Sequence, residues 1–113
     1  MYTWHRFTPF VTIIVYTMEG GVGMIFDWDE HNEDHIAKHN VAPYEAEEVF
    51  FDPKRLQLPA YNTPKEKRYA YLDATEDDRV LVVIFTVRLD KIRIITAMDT
   101  DQRQRRSYRR QKG

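Results

Sequence analysis

Six basic side chains close this chain, Arg103, Arg105, Arg106, Arg109, Arg110 and Lys112, with no acidic residue between the first and the last. A cluster of that kind binds phosphate backbones, with an affinity that falls steeply as salt rises. Two more arginines, Arg68 and Arg93, fall in segments with strand character, where the backbone would fix them. The planar guanidinium donates two parallel hydrogen bonds and stays charged, which suits a phosphate oxygen. Groups able to move protons are also present. Glu66 lies beside Arg68, Tyr108 sits among the terminal arginines, and His39 carries an imidazole, the side chain suited to exchanging protons near neutrality. Each has a plainer reading: an ion pair for Arg93 and Arg68, a solvated loop for Glu66, a helix-end contact for His39, and a docking anchor for Tyr108.

The formal net charge of −1 hides a split. Residues 1–53 hold two Lys/Arg against ten Asp/Glu, and residues 54–113 hold fifteen against eight. Such segregation points to a polyanion on one side and a basic partner on the other, or to halves that neutralise each other across one fold. The absence of cysteine excludes disulfides, thiolate metal sites and cysteine nucleophiles. His31, His35 and His39 recur at helical spacing, but three turns are too long for all three to reach one ion, so a solvated face is expected, with a two-histidine site as the minor alternative, and no metal or cofactor is assigned.

These groups need a frame. Ile25–Asp29 reads as a short strand, with Asp29 placed to cap a helix over 30–39 and Asn40 to end it in a left-handed conformation. Ala42-Pro43 opens a second helix, stopped by Asp52-Pro53. Leu56 and Leu58 alternate with polar residues in a strand, Arg68–Thr75 forms another, and Val80–Val87 is apolar almost throughout, as in a central strand covered on both faces. Lys91–Ala97 is the last strand. There Arg93 alternates with Ile92 and Ile94 and so leaves the sheet on the opposite face. The order β-α-α-β-β-β-β-α predicts an α+β domain with an antiparallel sheet and helices packed mainly on one side. In the basic final helix only Tyr108 has much to bury, so the helix projects, frays or awaits a partner.

Residues 1–23 stand apart. Phe7–Thr17 is too short to span a membrane, lacks the features of a signal peptide and contains Pro9. Met24 directly precedes the first segment with clear fold logic, and Glu19-Gly20-Gly21 is what a translated ribosome-binding sequence would look like. The expectation is a domain over 24–113 behind an extension, 1–23, that arises from a start placed too early. A genuine extra strand or weak anchor is the competing reading.

Taken in order, Phe26-Asp27-Trp28-Asp29-Glu30, His35-Ile36-Ala37-Lys38-His39-Asn40-Val41, Glu45-Ala46-Glu47-Glu48-Val49-Phe50, Arg68-Tyr69, Arg93-Ile94-Ile95-Thr96-Ala97 and the basic helix with Tyr108 resemble the BrnT family. The resemblance implies a RelE-like fold and a small cytoplasmic, bacterial endoribonuclease toxin. Its partners would be RNA as substrate and a BrnA-type antitoxin, with operator DNA reached only through the antitoxin complex and no membrane. Metal-free RNA cleavage needs a base for the 2′-hydroxyl, an acid for the 5′-oxygen and cations around the phosphate. On this reading the catalytic candidates are Arg93, Arg68, His39, Glu66 and Tyr108, and Arg103, Arg105, Arg106, Arg109 and Arg110 bind the RNA backbone, receive an acidic antitoxin segment, or do both. The chain departs from the family pattern at Thr96 (usually serine), Met98 (commonly arginine), Gln104 (commonly glutamate), and Asp73 and Asp78, where glycines are expected near the hairpin. A weakened or inactive copy that still binds antitoxin is the alternative, and a general RNA-binding module a remote third.

Overall fold

The computed structural model describes residues 15–16, 22–60 and 62–112. Two short strands, β1 (Val15–Tyr16) and β2 (Val22–Gly23), pair antiparallel. The rest of the 1–23 extension, and with it the expectation of an early start, lies outside the described residues. Helix α1 (Glu30–Ala37) is followed by α2 (Pro43–Glu48), a 3-10 turn (Val49–Phe51), strands β3 (Leu56–Leu58), β4 (Tyr69–Ala74), β5 (Val80–Arg88) and β6 (Lys91–Asp99), and helix α3 (Gln102–Lys112). The four long-range strands form one antiparallel sheet in the order β3-β4-β5-β6. The α+β class is therefore as the sequence predicts.

Local chemistry explains the helix ends. Asp29 accepts from the backbone N–H of His31 and Asn32, while the Asn32 side chain accepts from the Asp29 N–H at 2.8 Å, a reciprocal capping box. Asn40 takes φ 58°, closing the α1 turn in the expected left-handed conformation. The proposed strand at Ile25–Asp29 reduces to a single parallel bridge, Phe26 to Ile92, because Asp29 already turns the chain into α1. The second helix ends at Glu48 and tightens into the 3-10 turn before Pro53. At the β5–β6 hairpin Leu89 and Asp90 both have positive φ, the geometry that matches a two-residue turn to strand twist. Asp78 is likewise at φ 61°, as a glycine replacement there implies, whereas Asp73 lies inside β4 and is fully buried.

Strand β5 is central and buried along most of its length, as its apolar run predicts. Phe50 packs edge-on against Phe85, with centroids 4.8 Å apart, and against Tyr71 at 5.4 Å. Around them Ile36, Val41, Ala46 and Val49 meet Leu81, Val83, Ile92, Ile94 and Ala97 in the main core. Trp28 packs against that core and donates to Glu47 Oε2 at 2.7 Å. On the other sheet face Tyr108 joins Leu72, Val80 and Val82, with Met98 and Ile84 at the margin.

A bulge sorts β6 between the two faces. Ile84 lies opposite Thr96 but Phe85 lies opposite Ile94, so Ile95 has no partner. Ile92 and Ile94 can then share a face with Ala97, while Arg93 and Met98 share the other.

Arg79 ties the helical layer to the sheet. Its guanidinium binds Asp99 through two hydrogen bonds of 2.8 and 2.9 Å, donates to the carbonyls of Asn40 and His39, and pairs with Glu45. It thus satisfies carbonyls left free at the C-terminal end of α1. Arg79→Ala is expected to destabilise the fold by about 2 kcal/mol, measured as a lower urea midpoint with unchanged slope.

Candidate functional site

The strand arrangement places Arg93 on the face away from the main core, opposite Thr86. Its guanidinium is engaged rather than bare: Nη1 and Nη2 lie 3.0 and 3.1 Å from the two oxygens of Asp29, and Nη1 is 3.4 Å from Asp27. Asp29 thus caps α1 and pairs with Arg93 at once, and the Arg93 hydrogen bond holds its carboxyl below the usual range. The side chain of Arg93 is only 12% exposed.

Glu66 is not a free loop carboxylate. It receives two 3.0 Å hydrogen bonds from Arg88 and lies 3.5 Å from Arg68, while Thr63 fixes its backbone. Arg88, which the sequence reading did not single out, lowers the Glu66 pKa most, followed in its charge effect by Arg68. A carboxylate held this way is a weaker proton acceptor and a better clamp for two guanidiniums. Arg68, Glu66, Arg88 and Arg93 therefore gather at one end of the sheet.

A cleft of about 220 Å³ opens there between α1 and β6, lined by His31, Asn32, His35, Arg88, Arg93 and Ile95. Buried Asn32 sets its floor, donating to the carbonyls of Asp27 and Ile94 at 2.9 and 3.0 Å. His39 sits one turn further along, its ring 6.2 Å from that of His35, and does not line the cleft. The histidine periodicity was visible in the sequence. That the turn bearing His31 and His35 faces Arg93 was not, because the partner is some sixty residues away in the chain.

Tyr108 occupies a different place. Its hydroxyl donates to Asp73 Oδ1 at 2.9 Å and accepts from the Ala74 N–H at 3.2 Å, just where β3 has ceased to cover β4. Burial, with the neighbouring Asp73 carboxylate, pushes the phenol up to about 12. Asp73 in turn is pushed up to about 6 by burial and by a hydrogen bond with Asp52. A phenol so held anchors α3. The side chains of Arg103, Arg105, Arg106, Arg109 and Arg110 are exposed around that anchor, with Arg105 donating to the Thr100 carbonyl and Arg109 lying 3.8 Å from Asp78. Replacing Arg103, Arg106 and Arg110 together by glutamine is expected to cut affinity for single-stranded RNA about 100-fold at 0.1 M salt and to shrink the log–log salt slope by about 2. An unchanged slope, read by fluorescence anisotropy, would place the RNA elsewhere.

Residues 28–104 match the family described as ribonuclease toxin, BrnT, of type II toxin-antitoxin system. That is well over half of the 113-residue chain. The chain belongs to the BrnT family. No curated protein matches it significantly. As a BrnT protein it falls among ribonuclease toxins, and the two-component nature of such systems brings an antitoxin partner.

The BrnT match spans the cleft, Arg68, Glu66 and Arg93, and stops at Gln104, short of Tyr108 and the arginines beyond it. Two further departures from the BrnT pattern have structural accounts. Gln104 accepts from the Asp101 N–H at 3.0 Å while its own N–H donates to Asp101 Oδ1 at 2.7 Å, a capping box that glutamine closes as well as glutamate. Met98 packs at the margin of the Tyr108 cluster, so an apolar contact stands where the family pattern has a cation. Thr96 is buried, and its hydroxyl has no hydrogen-bond partner among the described residues. No helix among the described residues is long and apolar enough to cross a membrane.

Proposed function

We propose that this chain is a RelE-like endoribonuclease toxin of the bacterial cytoplasm that cleaves RNA without a metal ion. A BrnA-type antitoxin neutralises it, and operator DNA is reached only through that complex. The supporting observation is one sheet face bracketed by two sets of guanidiniums. Arg68, Arg88 and Arg93 are held in place at one end, and the α3 arginines stand exposed at the other. About 15 Å of strand separates Arg93 from Met98 beneath α3, so a single RNA strand can engage both. The α3 arginines grip the backbone, and the fixed set receives the scissile phosphate.

The reaction is attack of a ribose 2′-oxygen on the adjacent phosphorus, with loss of the 5′-oxygen. Negative charge builds on the phosphoryl oxygens as the attacking bond forms, and preorganised guanidiniums stabilise it. Arg93 and Arg88 supply that stabilisation, Glu66 fixes Arg88 and Arg68, and Tyr108 keeps α3 over the sheet. His39, a turn beyond the cleft, takes no part in the bond-breaking step. Overproduction in a bacterium should arrest growth with loss of intact mRNA. Purified protein should cut a defined RNA in excess EDTA, leaving 2′,3′-cyclic phosphate ends. A folded protein that binds RNA and cuts neither free nor ribosome-bound message would refute the reading. It would favour the inactive, antitoxin-binding copy, for which Met98 in place of a cation is the specific observation.

A further inference from the structure

We propose that His31 and His35 are the proton-transfer pair of this cleavage, one taking the 2′-hydroxyl proton and the other supplying the 5′-oxygen. The inference rests on the ribonuclease reading above and adds the groups that reading lacks. The arginines there stay charged and cannot shuttle a proton. Glu66 is clamped by Arg88 and Arg68, and Tyr108 is buried against Asp73 at the far end of the sheet.

The cleft between α1 and β6 has the missing chemistry. Its volume, about 220 Å³, is below that of pockets for whole small molecules and suits one phosphate with its sugar. Among the described residues two guanidiniums and two imidazoles line it, the guanidiniums paired at rest with Asp29, Asp27 and Glu66. Asn32, the other polar lining residue, is committed through its amide nitrogen to Asp27 and Ile94 and through its oxygen to the Asp29 N–H. What the cleft offers an incoming group is therefore imidazole nitrogen and guanidinium N–H donors that a phosphate can claim in place of the carboxylates holding them. That combination selects an anionic ester.

Spacing assigns the roles as a pair. Side chains four residues apart on a helix stand side by side on one face, one turn along the axis. In an in-line displacement the entering and leaving oxygens lie on opposite sides of phosphorus. A phosphate on Arg93 and Arg88, with that line along the α1 axis, sets one imidazole at each oxygen. The new bond joins the 2′-oxygen to phosphorus and the bond to the 5′-oxygen breaks. One neutral imidazole gains the 2′ proton, and the other, initially protonated, loses its proton to the leaving oxygen. The products are a 2′,3′-cyclic phosphate and a 5′-hydroxyl, and exchange of protons with water restores the pair.

The test compares the full chain with His31→Ala and His35→Ala on two matched RNA oligonucleotides. One is ordinary, and the other carries sulfur in place of the bridging 5′-oxygen, a leaving group that needs no proton. Both histidines are exposed, so melting temperature should hold in each variant. Each variant is expected to lose about 100-fold in cleavage of ordinary RNA. On the sulfur substrate the variant lacking the acid should regain near-full rate, and the variant lacking the base should not. Equal losses on both substrates in both variants, or no loss in either, would overturn the assignment while an active parent protein keeps the ribonuclease reading. A parent protein inert on both substrates would overturn the two together.

Discussion

Replacing Tyr108 by alanine is expected to cost about 3–5 kcal/mol and to release α3 from the sheet. Tyr108 supplies the buried aromatic surface of that helix and closes the cluster of Leu72, Val80 and Val82. Its hydroxyl also satisfies the Ala74 N–H and one oxygen of buried Asp73. Truncation therefore opens a cavity and strips two polar groups of a partner, and each effect is destabilising. Tyr108→Phe separates them, keeping the ring and losing only the hydrogen bonds, for a smaller loss of about 1–3 kcal/mol. Chemical denaturation followed by far-ultraviolet circular dichroism measures both. A near-neutral Tyr108→Ala would mean that α3 is not docked in solution.

The same anchor gives a pH dependence with a definite sign. Asp73 has an ordinary carboxyl value of 3.8 when unfolded and about 6 when folded. Below pH 3.8 both states hold the proton. Between 3.8 and about 6 only the folded state keeps it, so its stabilising contribution falls as pH rises through that window and is absent at neutrality. The integrated effect is roughly 3 kcal/mol. Asp73→Asn can still accept from Tyr108 and donate to Asp52 without ionising. It should be more stable than the parent at pH 7.5 and should flatten the profile between pH 4 and 6. The lowered carboxyls of Asp29, Glu66 and Asp99 titrate alike in both proteins, so a parent–variant stability difference that stays constant across that interval would contradict the assignment to Asp73.

How far this arrangement could be read from the sequence depends on how local its causes are. The Asp29 cap, the Asn40 stop and the apolar run of β5 are set by residues within a few positions, and all were legible. So was the departure of Arg93 from the core face, because alternation around Ile92 and Ile94 is a local pattern. The bulge at Ile95 was not, since a β-branched residue in a β-branched run gives no sign of an unpaired position. Strict alternation continued through it puts Ala97 on the face of Arg93 and Thr96 on the face of Ile94. Arg79 and Arg88 were also missed. Each sits in a hairpin among ordinary charges, and its role exists only because Asp99, Glu45 or Glu66 arrives from elsewhere in the chain. Asp73 misled in the other direction. Its strand was legible, but a missing family glycine near the hairpin suggested only a less stable hairpin, whereas the fold uses Asp73 as a buried acceptor for an aromatic residue more than thirty positions later.

Arg93→Ala is expected to lower RNA cleavage by about 10²–10³-fold, the loss seen when one preorganised donor is removed from a developing oxyanion. The stability cost should be small, because the Asp29 side chain that Arg93 holds is 47% exposed and partly solvated pairs contribute little. Arg93→Lys keeps the charge without the fork and should recover only part of the rate. The ion pairs with Asp29 and Asp27 sharpen the prediction. In the free protein these carboxylates compete with phosphate for the same guanidinium, so weakening them should favour substrate. Asp29→Asn is the suitable change, since asparagine caps a helix as well as aspartate and the start of α1 is kept. It should lower KM for RNA, the opposite direction from Arg93→Ala. If the two substitutions instead act alike, both lowering melting temperature and activity together, Arg93 is a strut for α1 and the phosphate is held by other groups. If Arg93→Ala abolishes cleavage at unchanged melting temperature and Asp29→Asn tightens binding, Arg93 is a phosphate ligand that Asp29 holds in reserve until RNA displaces it.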